Sequence, residues 1–414
     1  MADIRLICVA MRQRQGEAEL VEQSETEHEE PAARRRSRAR IAGRALLALS
    51  SAAVLALTAG GWFLVDRLDD VSSSKVLDQL DEQDAPQAPP DDDGATDVLL
   101  VGSDSRTDAQ GDPLPLRVLK QLRTEATNGL NTDTLVLMRI PHDAEPPTAV
   151  SIPRDTYAET PGGEHRKINS VYGLTKKDTE DALLAEGVAD DRAEQDAKAA
   201  GQRALVQTVQ RLTGVRVDHY AELNLLGFFE LTEAVGGVEV CLDSATSDKD
   251  SGAEFTAGRQ TISGADALSF VRQRHGLPRG DLDRIVRQQV FMAALANKVL
   301  STGTLTDPAR INELTAATRR AVELDEDWDA LGFVQQMQRV ATGAVNFVTL
   351  PVADDNARGE QGRSIVRVDP PTARRFMAGL AESAPRLAPA PALRLDGTAR
   401  DAPITSGDEV PCVN

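Results

Sequence analysis

The sequence predicts an α/β fold, an αβα sandwich in which a central mixed sheet lies between layers of helices. Short apolar runs bounded by turn residues alternate along the chain with stretches of helical length and period. Hydrophobic residues make up 41% of the 414 positions, which is enough to bury a substantial core. Interleaved strands and helices of this kind are typical of a sheet covered by helices.

The first element is an apolar segment near the N-terminus. Ala45–Val65 contains no charged residue and is long enough to cross a membrane as one helix. Arginines precede it in Arg34–Arg40 and Asp66 follows it, so the positive-inside rule predicts a single-pass type II anchor at the cell membrane with an extracytoplasmic C-terminal part. A cleaved signal peptide is the alternative, but the segment ends in Trp62–Val65 and not in small residues.

Composition divides the rest of the chain. A stretch rich in Pro and Asp, Asp81–Asp97, is typical of a solvated linker, and the Pro-rich C-terminal stretch is expected to be an extended tail. The predicted organisation is a cytoplasmic tail (1–44), an anchor (45–65), a linker (66–96), a folded domain (97–384) and the tail (385–414).

Within the folded domain, apolar runs predict strands at 98–101, 134–140, 149–155, 238–242 and 344–350. Helical periodicity predicts helices at 196–212, 225–235, 265–271, 281–300, 311–322 and 328–340. His165–Gly173 is expected to be a loop, either solvated or in contact with substrate.

The charge balance excludes one class of partner. A net charge of −19 and an aromatic content of 3% argue against a nucleic-acid binder. Five arginines nevertheless fall within Val271–Gln289. One guanidinium group can bind two phosphate oxygens at once, and it keeps its charge at ordinary pH. This cluster therefore favours a ligand with several negative charges, such as a pyrophosphate. Surface ion pairs with Asp281 and Asp283 are the alternative.

Spacing within this cluster predicts a shared face. In a helix that begins at Asp281, Arg284 and Gln288 follow on the same side, with Arg287 beside them. Arg272 and Arg274 arrive from the preceding segment. His275 is a candidate general base or only a spacer. The arginines are expected to converge on one pocket.

Aspartates mark the ends of the predicted strands. Asp104 follows the first strand, Asp133 precedes the second and Asp155 follows the third, beside Arg154. Strand ends are where sites form in α/β sheets, and carboxylates without His or Cys neighbours suit Mg²⁺ (or Mn²⁺). Each aspartate taken alone could equally serve a turn or a helix cap.

Two of the three cysteines fall on the extracytoplasmic side of the predicted anchor. We expect Cys241 and Cys412 to form a disulfide, which an oxidising compartment permits. The alternative is two unrelated thiols.

The order of motifs resembles the LytR-CpsA-Psr family, and its actinobacterial members most. The resemblance runs from about Asp97 to about Leu300 and rests on "LLVGSDSR", "NTDT", "SIPRDT", "KINSVYG", "VGGVEV" and "VRQRHGLPRGDLDRIVRQQ". It implies an extracytoplasmic phosphotransferase that moves a glycopolymer, such as teichoic acid, from a polyprenyl-pyrophosphate carrier to peptidoglycan and releases polyprenyl phosphate. It also implies a hydrophobic polyprenyl-binding tunnel within the sandwich.

The resemblance also implies roles for individual residues. Many members have an arginine where this chain has Asn131, a loss for which Arg106 is expected to compensate. The predicted metal ligands are Asp104 and Asp133. The predicted catalytic residues are Asp104, Asp281, Arg272 and Arg274. The predicted substrate-binding residues are Arg106, Arg154, Arg272, Arg274, Arg284, Arg287 and Gln288.

Two other functions fit the same residues. Water could replace the sugar acceptor, which would make the protein a polyprenyl-pyrophosphate hydrolase. A non-catalytic lipid-phosphate receptor or regulator is the other alternative.

Overall fold

The computed structural model describes most of the chain beyond the predicted linker. The described residues are 72–74, 77, 93–108, 111–125, 130–142, 146–278, 280–300, 322–326, 328, 345–359, 362–381, 404–405 and 410–414. The predicted anchor and nearly all of the predicted helices 311–322 and 328–340 lie outside them. Within the described residues, no helix combines the length and apolarity that crossing a membrane requires.

The strands are β1 Ser72–Ser74, β2 Ala95–Ser103, β3 Thr132–Pro141, β4 Thr148–Ser151, β5 Tyr157–Glu159, β6 His165–Lys167, β7 His219–Leu223, β8 Val238–Leu242, β9 Thr246–Asp248, β10 Ala253–Phe255, β11 Gly258–Ile262, β12 Val322–Asp325, β13 Asn346–Thr349, β14 Asp354–Arg358, β15 Ser364–Arg367, β16 Ile404–Thr405 and β17 Cys412–Val413. The helices are α1 Leu116–Gln121, α2 Ile168–Ala185, α3 Asp190–Thr213, α4 Leu225–Ala234, α5 Gly264–Arg272, α6 Asp281–Leu300 and α7 Pro370–Ala381.

The central sheet is mixed, as predicted. Its strand order is β1-β12-β7-β2-β3-β4-β13-β16. Strand β2 runs parallel to β7 and antiparallel to β3, while β4 runs antiparallel to β3 and parallel to β13. Strands β2, β3 and β4 therefore lie side by side near the middle of the sheet.

Strand β2 is buried on both faces. Leu99 and Val101 pack into a core that includes Leu205 of α3 and Met377 of α7. Val98 faces the other way, into a core with residues of α6. Each such side chain contributes about 1.5–3 kcal/mol by leaving water. Helices on both faces make the fold an αβα sandwich.

A smaller sheet holds the C-terminal end of the chain. Its order is β11-β8-β17, and Cys412 of β17 lies opposite Cys241 of β8. The two cysteines form a disulfide, so the predicted pairing is confirmed. The described part of the predicted extended tail includes two short strands, β16 in the central sheet and β17 in this smaller sheet.

The expectation of a loop at His165–Gly173 is wrong. The segment forms β6 and the first turns of α2, in which Ile168, Val171 and Tyr172 are buried at helical spacing. Position 173 in this helix requires glycine, because a Cβ atom there would lie 2.0 Å from the carbonyl oxygen of Leu130. The glycine permits close packing and does not break the helix.

Two other boundaries differ from the sequence prediction. Strand β4 ends at Ser151, before the expected end at 155, because Pro153 has no N–H with which to continue a ladder. Val322, the predicted last residue of a helix, begins β12, which pairs with β7.

Candidate functional site

The sheet brings the predicted strand-end residues to one edge. Because β3 is antiparallel to both neighbours, its first residues lie between the carboxyl ends of β2 and β4. Asp133 is the second residue of β3, Asp104 follows β2 directly, and Arg154 follows β4. Residues from three sequence motifs are therefore placed together by strand pairing alone.

A cavity of about 580 Å³ opens at this edge. Six of the predicted site residues line it: Asp104, Asp133, Arg272, Arg274, Arg284 and Gln288. The predicted substrate-binding residues Arg106 and Arg154 do not line it, but they form ion pairs with Asp104 and Asp133. The remaining wall is mostly apolar and includes Leu100, Val136, Leu223, Phe228, Phe291 and Leu295. The cavity therefore joins a guanidinium-rich region to a hydrocarbon surface.

Asp133 is surrounded by arginines. Its Oδ1 lies 2.6 Å from Nη1 of Arg154 and 4.0 Å from Nη2 of Arg274. Burial acts to raise the pKa of Asp133, but the charges of Arg154, Arg284 and Arg274 outweigh it and hold this pKa below its ordinary value. The carboxylate is therefore ionised at neutral pH.

Asp104 is held by its neighbours in the turn after β2. Its Oδ1 accepts a hydrogen bond of 2.7 Å from the backbone N–H of Asn131, and its Oδ2 lies 3.0 Å from Nη1 of Arg106. Arg106 also donates to the hydroxyl of Thr124 at 3.3 Å. Asp104 thus contacts both Arg106 and Asn131. Of these two residues, Arg106 supplies the guanidinium that the Asn131 side chain lacks.

Arg272 shows the excess of positive charge. Burial is the largest cause that lowers the pKa of Arg272, and the charge of the neighbouring Arg106 lowers it further. The charges of Asp133 and Asp104 act in the opposite direction. An arginine still keeps its proton at neutral pH. We define the arginine site by five arginines and two aspartates: Arg106, Arg154, Arg272, Arg274, Arg284, Asp104 and Asp133. An anion with several charges would balance this excess.

Helix α6 presents the predicted face to the cavity. Arg284 and Gln288 line it, and the side-chain amide of Gln288 donates to the carbonyl of Val271 at 3.2 Å. Asp281 is the first residue of α6, but its side chain lies outside the described residues. Its catalytic role stays a prediction.

Arg287 departs from the predicted substrate-binding role. It does not line the cavity, and its guanidinium is fully buried elsewhere. Its Nη1 donates to Oε1 of Gln273 at 2.7 Å, its Nε donates to the main-chain oxygen of Asn414, and its guanidinium carbon lies 5.0 Å from the ring centre of Phe270. A step of one residue from Gln288 rotates a side chain by about 100°, which turns Arg287 away from the cavity.

Residues of the "KINSVYG" motif support Arg154 from behind. The backbone N–H of Asn169 donates to the carbonyl of Arg154 at 3.1 Å. Lys167 forms an ion pair with Asp155 at 3.0 Å. Asp155 therefore has an ion-pair partner within the motif. Together the two contacts hold the turn that carries Arg154.

The rim of the cavity places His275 beside two aspartates, Asp248 and Asp250, that the sequence analysis did not single out. Ligand atoms of Asp248, Asp250 and His275 lie within 4.8 Å of one another. Both oxygens of Asp248 already accept hydrogen bonds, from the backbone of Asp250 and Arg274 and from the hydroxyl of Ser251. Burial raises the pKa of Asp248, but these bonds lower it more. The stretch "DKDSG", Asp248–Gly252, is a turn signal that could have been noticed.

Comparison with known proteins identifies relatives of the whole domain. The LytR_cpsA_psr family matches residues 66–379. The cell wall biosynthesis protein LcpA of Corynebacterium glutamicum is 48% identical over 329 residues, which is 79% of this chain and 63% of LcpA. The probable cell wall biosynthesis protein LcpB of the same organism is 34% identical over 62% of this chain and 55% of LcpB. The chain thus spans less than two thirds of either relative.

A more distant relative and one solved structure also resemble this chain. The polyisoprenyl-teichoic acid–peptidoglycan teichoic acid transferase TagU of Enterococcus faecalis is 28% identical over 60% of this chain and 67% of TagU. The crystal structure of protein gbs0355 from Streptococcus agalactiae superposes with a TM-score of 0.51 at 18% identity, covering 69% of this chain and 86% of that one, which supports the fold alone. The extent of the family match, together with the identity to LcpA, establishes that the chain belongs to the LytR-CpsA-Psr family.

Proposed function

We propose that this protein transfers a phosphate-linked glycopolymer from a polyprenyl-pyrophosphate carrier to peptidoglycan and releases polyprenyl phosphate. The cavity is the observation that carries the proposal. The three arginines that line it, Arg272, Arg274 and Arg284, fit a pyrophosphate, and its apolar wall fits the hydrocarbon tail attached to that pyrophosphate. The name of the related TagU, a teichoic acid–peptidoglycan transferase, supports this choice of donor and acceptor.

The proposed reaction is one phosphoryl transfer. A sugar hydroxyl of peptidoglycan attacks the phosphorus atom that carries the glycopolymer, and the bond from that phosphorus to the bridging oxygen breaks. The bridging oxygen leaves with the lipid phosphate, and the hydroxyl proton passes to a carboxylate, Asp104 or Asp281. Arg272, Arg274 and Arg284 stabilise the charge that develops on the transferred and leaving phosphates.

We propose Mg²⁺ as the cofactor, with Mn²⁺ as a substitute. Asp104 and Asp133 both line the cavity, and two carboxylates plus phosphate oxygens are a donor set that Mg²⁺ prefers. The ion would neutralise charge on the pyrophosphate when bound. Both carboxylates are oriented by hydrogen bonds: Arg154 donates to Asp133, and the backbone N–H of Asn131 donates to Asp104.

We also propose that the predicted anchor, Ala45–Val65, tethers the domain at the outer face of the cell membrane. A polyprenyl carrier resides in that membrane, so a tethered domain meets it at a high effective concentration. The disulfide between Cys241 and Cys412 is consistent with an oxidising compartment.

The test uses the full-length protein in detergent with a polyprenyl-pyrophosphoryl saccharide. We would measure release of polyprenyl monophosphate with and without Mg²⁺, and then with peptidoglycan added. Metal-dependent release with transfer of the saccharide to peptidoglycan is expected. Release without transfer would indicate the hydrolase alternative, and tight binding without release would indicate a receptor.

A further inference from the structure

Gln273 lies between the two arginines that arrive from α5, and its side chain points away from them. Arg272 and Arg274 line the cavity, whereas Gln273 has no exposed surface. Its amide nitrogen donates to the hydroxyl of Thr246 at 2.5 Å and to the carbonyl of His275 at 2.9 Å. The alternation places one buried amide where it can fix the direction of both guanidinium groups.

Arg287 supplies the remaining hydrogen bond of that amide. Its Nη1 donates to Oε1 of Gln273 at 2.7 Å, while its Nε donates to the main-chain oxygen of Asn414. Asn414 follows β17, which the disulfide between Cys241 and Cys412 fixes to β8. The segment that carries Arg272 and Arg274 is therefore tied through Arg287 to the C-terminal strand.

A second contact holds the same segment from the rim. Oδ2 of Asp248 accepts a hydrogen bond of 3.3 Å from the backbone N–H of Arg274 and one of 2.9 Å from the hydroxyl of Ser251. The backbone of the segment is thus fixed by Asp248 and its central side chain by Arg287. Neither contact is a surface ion pair, because Asp248 and Arg287 are both buried.

We infer that Arg287 is a positioning residue for the proposed transfer. It acts through Gln273 to hold Arg272 and Arg274 in the direction that faces the pyrophosphate. The inference rests on the proposed function, which supplies the ligand. A buried arginine whose only task was stability would need no partner between two cavity-lining arginines.

The test compares Arg287→Met with Arg139→Met in the full-length protein. Arg139 is an equally buried arginine, paired with Asp97 at 3.0 Å, and it lies six residues along β3 from Asp133, at the other end of the strand. Six residues of strand span roughly 20 Å. Both variants are expected to unfold at lower temperature, so rates are measured where circular dichroism shows both to be folded.

We expect Arg287→Met to lower kcat/KM for polyprenyl phosphate release about 100-fold, since a small misplacement of catalytic groups has an effect of this size. Arg139→Met should stay within about threefold of the wild type. Arg287→Lys, which keeps the charge but can form fewer directed bonds, should lose less than Arg287→Met and serves if the latter does not fold.

A double-mutant cycle separates positioning from stability. In an Arg274→Ala background, Arg287→Met should cost less than about tenfold, because one of the two groups that it positions is already absent. The full 100-fold loss in that background, or equal losses from Arg287→Met and Arg139→Met, would overturn the inference.

Binding of inorganic pyrophosphate, measured by calorimetry, distinguishes failure of this inference from failure of the proposed function. If the wild type releases no polyprenyl phosphate, the proposed function fails. Arg287 is then judged by pyrophosphate affinity alone, which Arg287→Met should weaken about tenfold and Arg139→Met should leave unchanged. Equal affinity in both variants would overturn the inference on this measure also.

Discussion

The two ends of β3 carry arginine–aspartate contacts with opposite charge balances. At the cavity end, Asp133 lies among Arg154, Arg274 and Arg284, and its pKa is lowered. At the other end, the single buried Arg139 contacts Asp97 at 3.0 Å and Asp93 at 2.6 Å. There burial raises the pKa of Asp97 to about 8, with Arg139 opposing it and Asp93 and Asp218 adding to it.

The difference shows why only one end is a candidate binding site. An excess of carboxylates can be relieved by a proton, because a buried aspartate accepts one at ordinary pH. An excess of guanidiniums cannot be relieved in this way, since arginine does not lose its proton. An anionic ligand would balance the guanidiniums of the arginine site, and this contrast can be tested from both sides.

The largest expected effect comes from removing one of the arginines that line the cavity. Arg272→Ala should lower kcat/KM for polyprenyl phosphate release about 1,000-fold, because a preorganised donor to the developing charge is lost. The matched control is Arg259→Ala, since Arg259 forms a half-exposed ion pair with Glu239 at 2.9 Å. Steady-state rates of both variants test this prediction. Similar rates for the two variants would mean that the arginine site does not take part in the proposed reaction.

The next effect comes from removing the carboxylate at the cavity end. Asp133→Asn should lower the Mg²⁺-dependent rate about 100-fold. The same change should strengthen metal-free binding of inorganic pyrophosphate about tenfold, because Arg154, Arg274 and Arg284 lose a competing anion. Calorimetry with EDTA present measures the second effect. Weaker metal-free binding would instead mean that Asp133 chiefly holds Arg154 in place.

The opposite end should show itself in the pH dependence of stability. Asp97 has a folded-state pKa of about 8 against an ordinary 3.8, so between these values only the folded state holds the proton. Its contribution is complete below pH 3.8 and is lost as the pH rises through about 8. The free energy of unfolding should therefore fall between pH 5 and pH 8.5 by an amount on the order of 1–3 kcal/mol.

Urea unfolding at several pH values checks this. Asp97→Asn should flatten the slope, whereas Asp133→Asn should not alter it. The lowered pKa of Asp133 acts in a different window, since its stabilisation is present above its unfolded pKa and is lost only as the pH falls through its folded value. A slope unchanged by Asp97→Asn would assign the effect to another group.

The sequence predicted those parts of the site that depend on local pattern. Turn residues after apolar runs located Asp104 and Arg154, and helical period placed Arg284 and Gln288 on one face. The true partners of Arg287 were not predictable, because Gln273 lies in a separate segment and Asn414 lies 127 residues away. A spacing rule gives the direction of a side chain but not what occupies that direction.

The fold divides in the same way. The αβα class followed from the alternation of apolar runs and helical stretches, because both periods are local. The pairing of β12 with β7 joins distant parts of the chain and left no local signal, whereas only the cysteines indicated that β17 lies beside β8. The loop expected at His165–Gly173 was wrong for a similar reason, since the packing of Gly173 in α2 depends on the carbonyl of Leu130, a residue outside that helix.

The smallest expected effect would sharpen the charge balance at the cavity end. The backbone of Asn131 donates to Oδ1 of Asp104 at 2.7 Å, and its carbonyl accepts from the N–H of Asp104 at 2.9 Å. A side-chain substitution keeps both contacts, so Asn131→Arg adds a guanidinium without removing a hydrogen bond. Metal-free affinity for pyrophosphate should rise about fivefold, with Asn131→Gln as the control.

The same substitution tests whether Arg106 compensates for Asn131. Arg106→Ala should weaken pyrophosphate binding about fivefold, and adding Asn131→Arg should restore it, because the number of guanidiniums beside Asp104 returns to that of the wild type. Calorimetric titration of the two single variants and the double variant measures this. Failure of Asn131→Arg to restore binding would mean that Arg106 serves as the ion-pair partner of Asp104, at 3.0 Å, and makes no contact with the ligand that another guanidinium could replace.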